Sequence, residues 1–218
     1  MNDIMPILQG CQCDNVLEAG VDEAGRGPAV GRIYAAAVIW PPELSSPLVR
    51  DSKTIKGEAN MKAAYDYVRD HALDFCVAYC TEGEIDEHGI SWANMKAMHR
   101  ALDGLTLVPE QILVDGSYFQ LYSRKGEPIN YGTVVHGDGT YYSIAAASIL
   151  AKYSRDKYID DLCDQYPALQ ERYDLKNNKG YISAPRHKAG IEQYGISEFH
   201  RACWKPCKDQ PVSPVSEI

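Results

Sequence analysis

A mostly apolar segment, residues 16–21, leads into two adjacent carboxylates and then into a glycine–arginine–glycine triplet. The residues are Asp22 and Glu23, followed after Ala24 by Gly25, Arg26 and Gly27. Successive residues of a strand point to opposite faces, so the two acids cannot both lie in a core. Glycine lets the main chain approach a ligand closely, and arginine presents a fork of donors that suits phosphate. The segment therefore predicts a buried strand that ends at a charged site.

Two later segments repeat this order of an apolar strand, an acid and a nearby glycine. Asp115 follows Val114 directly, and Asp138 lies between Gly137 and Gly139. Each acid–glycine pair taken alone is an ordinary turn sequence, but three strand ends with the same chemistry are unexpected by coincidence. Strand ends in an α/β sheet meet at one edge, where ligands bind. We therefore expect four carboxylates to lie together, namely Asp22, Glu23, Asp115 and Asp138.

Four anions in one cleft repel one another unless cations bind between them. Ligands that are all oxygen select hard ions such as Mg²⁺ or Mn²⁺ over zinc. Two such ions about 4 Å apart are the usual arrangement for phosphodiester cleavage, in which one activates the attacking water and the other stabilises the leaving oxygen. The acids therefore predict metal-assisted hydrolysis of a phosphodiester.

Strand patterns come first in a group and then alternate with helix patterns, which predicts an α/β fold with a mixed sheet and helices packed on its faces. Strands are predicted at 16–21, 31–40, 73–80, 111–114 and 133–135. Helices are predicted at 58–72, 91–105, 141–161 and 185–194. The chain length of 218 residues fits one catalytic domain over 1–205, with a helical C-terminal part from about residue 167. Residues 206–218 are polar and proline-containing and are predicted to form a flexible tail.

The composition narrows the class of protein. No apolar run approaches the roughly 20 residues that span a bilayer, and the first residues lack the features of a secretion signal, so we expect a cytoplasmic protein away from membranes. The net charge of −8 by itself argues against nucleic-acid binding, but basic residues gather in the second half of the chain and predict a basic face on an acidic body. Seven cysteines without a secretion signal argue against a disulfide scaffold.

At these motifs the chain resembles the type 2 ribonucleases H, the ribonuclease HII family. The resemblance spans residues 16–204 and is most specific in four segments that occur in the family's order: 22–28, 51–53, 113–116 and 143–152. It implies a ribonuclease H-like fold with a five-stranded mixed sheet flanked by helices. It also implies a monomer that hydrolyses the RNA strand of RNA–DNA hybrids and incises 5′ of ribonucleotides embedded in duplex DNA, leaving 3′-hydroxyl and 5′-phosphate ends.

The resemblance also assigns the catalytic and metal-binding residues. They are Asp22, Glu23, Asp115 and Asp138, and they hold Mg²⁺ or Mn²⁺, with two divalent ions present when substrate is bound. The sequence departs from the family at His136, where the family usually has lysine. Asp156 is a rival fourth acid, but a mid-helix aspartate is more typical of a structural contact.

The substrate-binding residues follow from the same resemblance. Only the 2′-hydroxyl distinguishes RNA from DNA at a given sugar. The family uses the triplet Gly25, Arg26 and Gly27 to detect the ribose beside the cut, and Tyr181 resembles the tyrosine that packs on the deoxyribose just past it. Ile182 and Ser183 replace the family's usual glycine and threonine there. Lys53 and Lys152 lie inside matching motifs and are the expected phosphate contacts.

Two other functions stay open on the sequence alone, since fold does not fix function. One is a DNA-directed nuclease of the same fold, similar to a junction resolvase, against which the triplet and Tyr181 argue. The other is a non-catalytic module that binds RNA–DNA hybrids. The four acids argue against that module, because a binder gains nothing from anions that face phosphate.

Overall fold

A computed structural model of the chain describes residues 8–13 and 15–216. The strands are β1 Glu18–Ala24, β2 Ile33–Ile39, β3 Asp74–Cys80, β4 Gln111–Asp115, β5 Ser123–Arg124, β6 Glu127–Pro128 and β7 Asn130–Val134. The helices are α1 Glu58–His71, α2 Glu82–His88, α3 Ile90–Asp103, α4 Tyr142–Gln165, α5 Pro167–Tyr173, α6 Leu175–Asn178 and α7 Pro185–Tyr194. Short 3-10 turns occur at Ser52–Thr54 and Gly137–Gly139. Within the described ranges, no helix has both the length and the apolar character needed to span a bilayer.

Five of the strands form one mixed sheet in the order β3-β2-β1-β4-β7, which confirms the predicted sheet. Strand β2 runs antiparallel to β1, whereas β4 is parallel to both β1 and β7. Val21 is in register with Val114, and Asp115 is in register with Val134. The carboxyl ends of three adjacent parallel strands therefore lie at the same edge of the sheet.

The chain divides into two compact units. The first contains the described residues up to Ala24, together with Tyr34–Tyr79 and Met95–Tyr153. The second contains Gly25–Ile33, Cys80–Asn94 and the described residues from Ser154 onward. The sequence predicts a single catalytic domain over 1–205, and that organisation stays a prediction.

The core of the first unit lies between the sheet and the first part of α4. The alanines 145–147 and 151 are buried there against β2 and α1, as the small-residue face of this helix predicts. A side chain at Gly20 would overlap the main chain of Ser143 and Ile144, so β1 and α4 approach each other closely. This close packing fixes α4 against the strand that carries Asp22.

The core of the second unit is built from the later helices. Buried residues of α5, α7 and the second part of α4 pack around Tyr173 and Ile191. The sequence predicts a flexible tail from residue 206, whereas the structure buries Cys207 and Val215 in this core. The prediction rests on the polar, proline-containing composition of residues 206–218 as a whole. Burial depends instead on the two apolar side chains in this segment, which pack on a hydrophobic surface.

Candidate active site

Three acidic residues come from the three adjacent parallel strands. Asp22 lies in β1, Asp115 is the last residue of β4, and Asp138 lies in the 3-10 turn that follows β7. One carboxylate oxygen from each residue lies within 4.8 Å of the others. The structure therefore brings together three of the four acids that the sequence predicts.

The 3-10 turn after β7 places the Asp138 carboxylate beside Asp22 and Asp115. His136 precedes the turn in the left-handed conformation, with φ 57° and ψ 40°, and reverses the chain after β7. The N–H of Gly137 then donates to Oδ1 of Asp115 over 2.7 Å. A side chain at Gly137 would press against the end of the Ile144 side chain on α4, so glycine lets the turn pack closely on this helix. One turn thus presents Asp138 and also orients Asp115.

Asp22 is a buried carboxylate with its own hydrogen-bond support. Its Oδ1 accepts the N–H of Glu23 over 2.7 Å, and the hydroxyl of Ser148 on α4 also hydrogen-bonds to it. Burial raises the pKa of Asp22 well above its ordinary value, and the charges of Glu23 and Asp115 raise it further. The two hydrogen bonds oppose that shift only in part. Negative charge at Asp22 therefore calls for a nearby cation.

Asp115 is half-buried, and opposing effects act on its pKa as they do at Asp22. Burial raises its pKa, and the adjacent Asp138 raises it further, whereas the Gly137 N–H and the Lys53 ammonium lower it. Three carboxylates held this close to one another form a site suited to a hard divalent cation. Their donor atoms are all oxygen, which fits Mg²⁺ or Mn²⁺.

Lys53 lies at this acidic group. Its Nζ is 2.9 Å from Oδ2 of Asp138. Asp51 caps the 3-10 turn by accepting the Lys53 N–H over 2.8 Å, and the hydroxyl of Ser52 lies 2.9 Å from that of Ser148. The sequence predicts a phosphate contact for Lys53 and gives no sign of its pairing with an acid. It also misses Ser148, whose place in the matching segment 143–152 was the available signal.

Other predicted residues lie outside the group of three acids. Glu23 is half-buried on β1, and the alternation of a strand turns it away from the face of Asp22. Its charge still acts on Asp22. Asp156 belongs to the second unit, where Arg155 donates to its carboxylate over 3.1 Å. Lys152 is half-buried on α4, one turn after Ser148.

The predicted ribose-reading residues lie together in the second unit. Gly25 has a φ of 97°, which favours glycine. A Cβ placed on Gly27 would lie 3.2 Å from Cε1 of Tyr181, so the triplet and the tyrosine ring are neighbours. Arg26, Gly27 and Tyr181 are all exposed. An exposed glycine therefore lies beside an exposed tyrosine ring.

A five-stranded mixed sheet with clustered carboxylates at its parallel strand ends defines the class of divalent-metal-dependent nucleases with a ribonuclease H-like fold. The ribonuclease HII family model matches residues 19–207. The ribonuclease HII of Phocaeicola vulgatus is 44% identical over 187 residues, which cover 86% of this chain and 88% of that protein. The ribonuclease HII of Christiangramia forsetii is 41% identical over 192 residues, which cover 88% and 92% of the two chains.

A crystal structure of the ribonuclease H2 from Pyrococcus horikoshii matches this fold with a TM-score of 0.73 at 27% identity, covering 88% of this chain and 95% of that chain. The chain belongs to the ribonuclease HII family. Members of this family hydrolyse RNA in RNA–DNA hybrids and need divalent metal ions, so the chain is an endoribonuclease of that kind.

Proposed function

We propose that this endoribonuclease cuts RNA–DNA hybrids and also incises duplex DNA 5′ of embedded ribonucleotides, with two divalent ions, leaving 3′-hydroxyl and 5′-phosphate ends. The observation that carries the proposal is the group of three carboxylate oxygens within 4.8 Å of one another. The three acids would hold Mg²⁺ or Mn²⁺, and the ions would supply activation of water and neutralisation of the leaving oxygen.

The chain's own residues prepare the site for that chemistry. Asp22 and Asp115 are oriented by main-chain N–H groups, so little rearrangement is needed when a cation binds. Asp138 completes the group, and Glu23, the neighbour of Asp22 in β1, is the proposed fourth acid. Fixed carboxylates of this kind place cations, and thereby the scissile phosphate, in one geometry.

Recognition of the substrate is proposed for residues that follow directly in the sequence. Gly25 comes immediately after Ala24, the last residue of β1. The triplet Gly25, Arg26 and Gly27 would read the ribose, because exposed amides can donate to a 2′-hydroxyl. The exposed ring of Tyr181 beside Gly27 supports a stacking role on the neighbouring sugar. Lys53 and Lys152 are the proposed phosphate contacts.

The variant Asp115→Asn tests the catalytic part of the proposal. We expect D115N to keep the fold, by circular dichroism, and to lose cleavage of a duplex with one ribonucleotide in Mg²⁺ or Mn²⁺. Asp66→Asn is the matched control, since Asp66 pairs with Lys62 on the surface of α1. Cleavage retained in D115N would remove Asp115 from the site.

The choice of substrates separates the rival functions. The proposal expects cuts in the RNA–DNA hybrid and in the duplex with one ribonucleotide, and none in an all-DNA four-way junction. Junction cleavage would favour a DNA-directed nuclease, whereas tight hybrid binding without any cutting would favour a binding module. A monomeric state and a cytoplasmic location belong to the same proposal, and light scattering after gel filtration tests the first of them.

A further inference from the structure

Arg201 is a fully buried arginine in the second unit, with 0% of its surface exposed, and it is the largest fully buried side chain of the described residues. Its ring neighbour is Trp204, with the guanidinium carbon 5.1 Å from the ring centroid. Burial lowers the pKa of Arg201 to about 10, so the side chain is still charged at neutral pH. A buried charge of this kind is costly unless its donors are satisfied.

The guanidinium of Arg201 donates to four main-chain carbonyls of one short segment. Nη2 donates to Gly25 over 2.6 Å, and Nη1 donates to Pro28 over 2.7 Å and to Arg26 over 3.3 Å. Nε donates to Gly31 over 2.8 Å. Residues 25–31 form no helix or regular strand, so these bonds supply much of their order.

These hydrogen bonds also fix the direction of the N–H group on the other side of each peptide bond. In a trans peptide the carbonyl and the following N–H point in opposite directions. The carbonyls of Gly25 and Arg26 point towards Arg201, so the N–H groups of Arg26 and Gly27 point away from it, on exposed residues.

The peptide between Pro28 and Ala29 shows the same arrangement. The Pro28 carbonyl accepts from Arg201, and the Ala29 N–H on the other side donates to the carbonyl of Gly180 over 2.9 Å. Gly180 precedes Tyr181 in the chain. Arg201 therefore orders the triplet and, through Ala29, ties it to the turn that carries the tyrosine.

We propose that Arg201 is a positioning residue for ribose recognition, which holds the triplet's carbonyls inward and so directs the amides of Arg26 and Gly27 towards the substrate ribose beside Tyr181. This inference rests on the proposed function. Lysine cannot replace Arg201 in this role, because a single ammonium cannot reach four carbonyls at once.

The test measures ribose preference in the non-cleaving D115N background. The probes are a duplex with one ribonucleotide and the same duplex made only of DNA, compared by fluorescence anisotropy. We expect Arg201→Lys to reduce the affinity ratio of the two duplexes by about tenfold, a loss of one or two hydrogen bonds. In R201A, guanidinium ion should restore the ratio and methylammonium should not.

Arg172→Lys is the matched control. Arg172 also donates to a main-chain carbonyl, that of Ser213, and lies over the ring of Tyr194, within the same unit. R172K should leave the ratio unchanged. In the otherwise wild-type protein, R201K should leave Mn²⁺ binding unchanged, because the three acids belong to the first unit. An unchanged ratio in folded R201K would overturn the inference.

A second measurement keeps Arg201 intact, in case its variants do not fold. Hydrogen exchange of D115N should show protection of residues 25–31 by the ribonucleotide duplex beyond that given by the all-DNA duplex, and equal protection would overturn the inference. Failure of the wild-type enzyme to cut the ribonucleotide duplex would instead overturn the proposed function.

Discussion

The Nζ of Lys53 lies 2.9 Å from Oδ2 of Asp138, and this pair joins a side chain that is 70% exposed to one that is 3% exposed. The hydrogen bond to Asp138 raises the pKa of Lys53, with smaller contributions from other nearby acids. The lysine therefore supplies positive charge to the acidic group. It also competes for an oxygen that the proposed site would offer to a divalent ion.

The variant Lys53→Met should bind Mn²⁺ about twofold to fivefold more tightly in the absence of nucleic acid, because this competition is removed. The same variant should raise KM for a duplex with one ribonucleotide, since a proposed phosphate contact is lost. Calorimetry measures the first effect and cleavage kinetics the second. Lys62→Met is the control, because Lys62 pairs with Asp66 on α1. Weaker Mn²⁺ binding in K53M would contradict the competition.

Replacement of Asp22 by asparagine should stabilise the protein while it removes function. The amide side chain can still accept the Glu23 N–H, which lies 2.7 Å from Oδ1 of Asp22, but it carries no charge beside Glu23 and Asp115. In chelator we expect D22N to raise Tm by about 2–4 °C, equivalent to about 1 kcal/mol. Mn²⁺ should then stabilise D22N much less than the wild type, and cleavage should be lost.

Asp86→Asn is the comparison for the effect of D22N on stability. Asp86 accepts the N–H groups of Ala202 and Cys203 over 3.0 and 2.9 Å, so its negative charge is well solvated by donors. D86N should lower Tm, since each of these hydrogen bonds is charge-assisted. A fall in Tm for both variants would show that charge repulsion is not what limits stability at Asp22.

The sequence predicted the main strands and the long helix because their hydrophobic patterns are extended. Helix α7 was predicted with the residue bounds that the structure has, and the three acids were found from the repeated order of strand, acid and glycine. Helix α2 was missed, although Thr81 and Glu84 form a capping box. Seven residues give too short a pattern for helical periodicity to be seen.

The contacts of the site could not be predicted in the same way. The pairing of Lys53 with Asp138 and the bonds of Arg201 to residues 25–31 join positions 85 and about 170 residues apart. No local pattern encodes such a contact, because tertiary packing decides it. The burial of Val215 could not be predicted for the same reason, since Val215 joins a core cluster whose other members are distant in sequence.

A buried histidine pair should make the protein sensitive to acid. The N–H of Ser197 donates to Nδ1 of His200 over 3.0 Å, so the proton of His200 is on Nε2, which lies 3.1 Å from Nε2 of His187. Burial lowers the pKa of His200 from 6.5 to about 3, with His187 as the second cause, and burial also lowers the pKa of His187. The ring of Tyr173 packs edge-on against His200 and helps to keep water away from it.

The direction of this pH effect follows from the coupling between proton binding and folding. The folded protein binds these protons less well than the unfolded chain, so their stabilising effect is complete above pH 6.5 and is lost as the pH falls towards 3. Each such group changes the free energy of unfolding by up to about 1.4 kcal/mol per pH unit. His200→Asn should therefore flatten the decline in urea stability between about pH 7 and 5, whereas the exposed His71→Asn should not. An equal slope in H200N and the wild type would exclude His200 as the cause.

Replacement of Gly20 should destabilise the first unit strongly, because this glycine faces the main chain of α4. An added Cβ would overlap the backbone of Ser143 and Ile144, which cannot yield as a flexible side chain does. Gly20→Ala should lower the free energy of unfolding by about 3 kcal/mol. Gly83→Ala in α2, where the added methyl group would meet only Thr81 Oγ1 at an ordinary contact distance of 4.0 Å, should instead raise it by about 0.5–1 kcal/mol.

The activity of G20A shows whether the packing of α4 on β1 also affects the acidic site. Any shift of α4 away from β1 also moves Ser148 away from Asp22, which lies two residues beyond Gly20 on the same strand. At a temperature where G20A is folded, kcat should therefore fall, while the ribose preference proposed for the triplet should be kept. Loss of preference together with unchanged kcat would place the effect of Gly20 outside the acidic site.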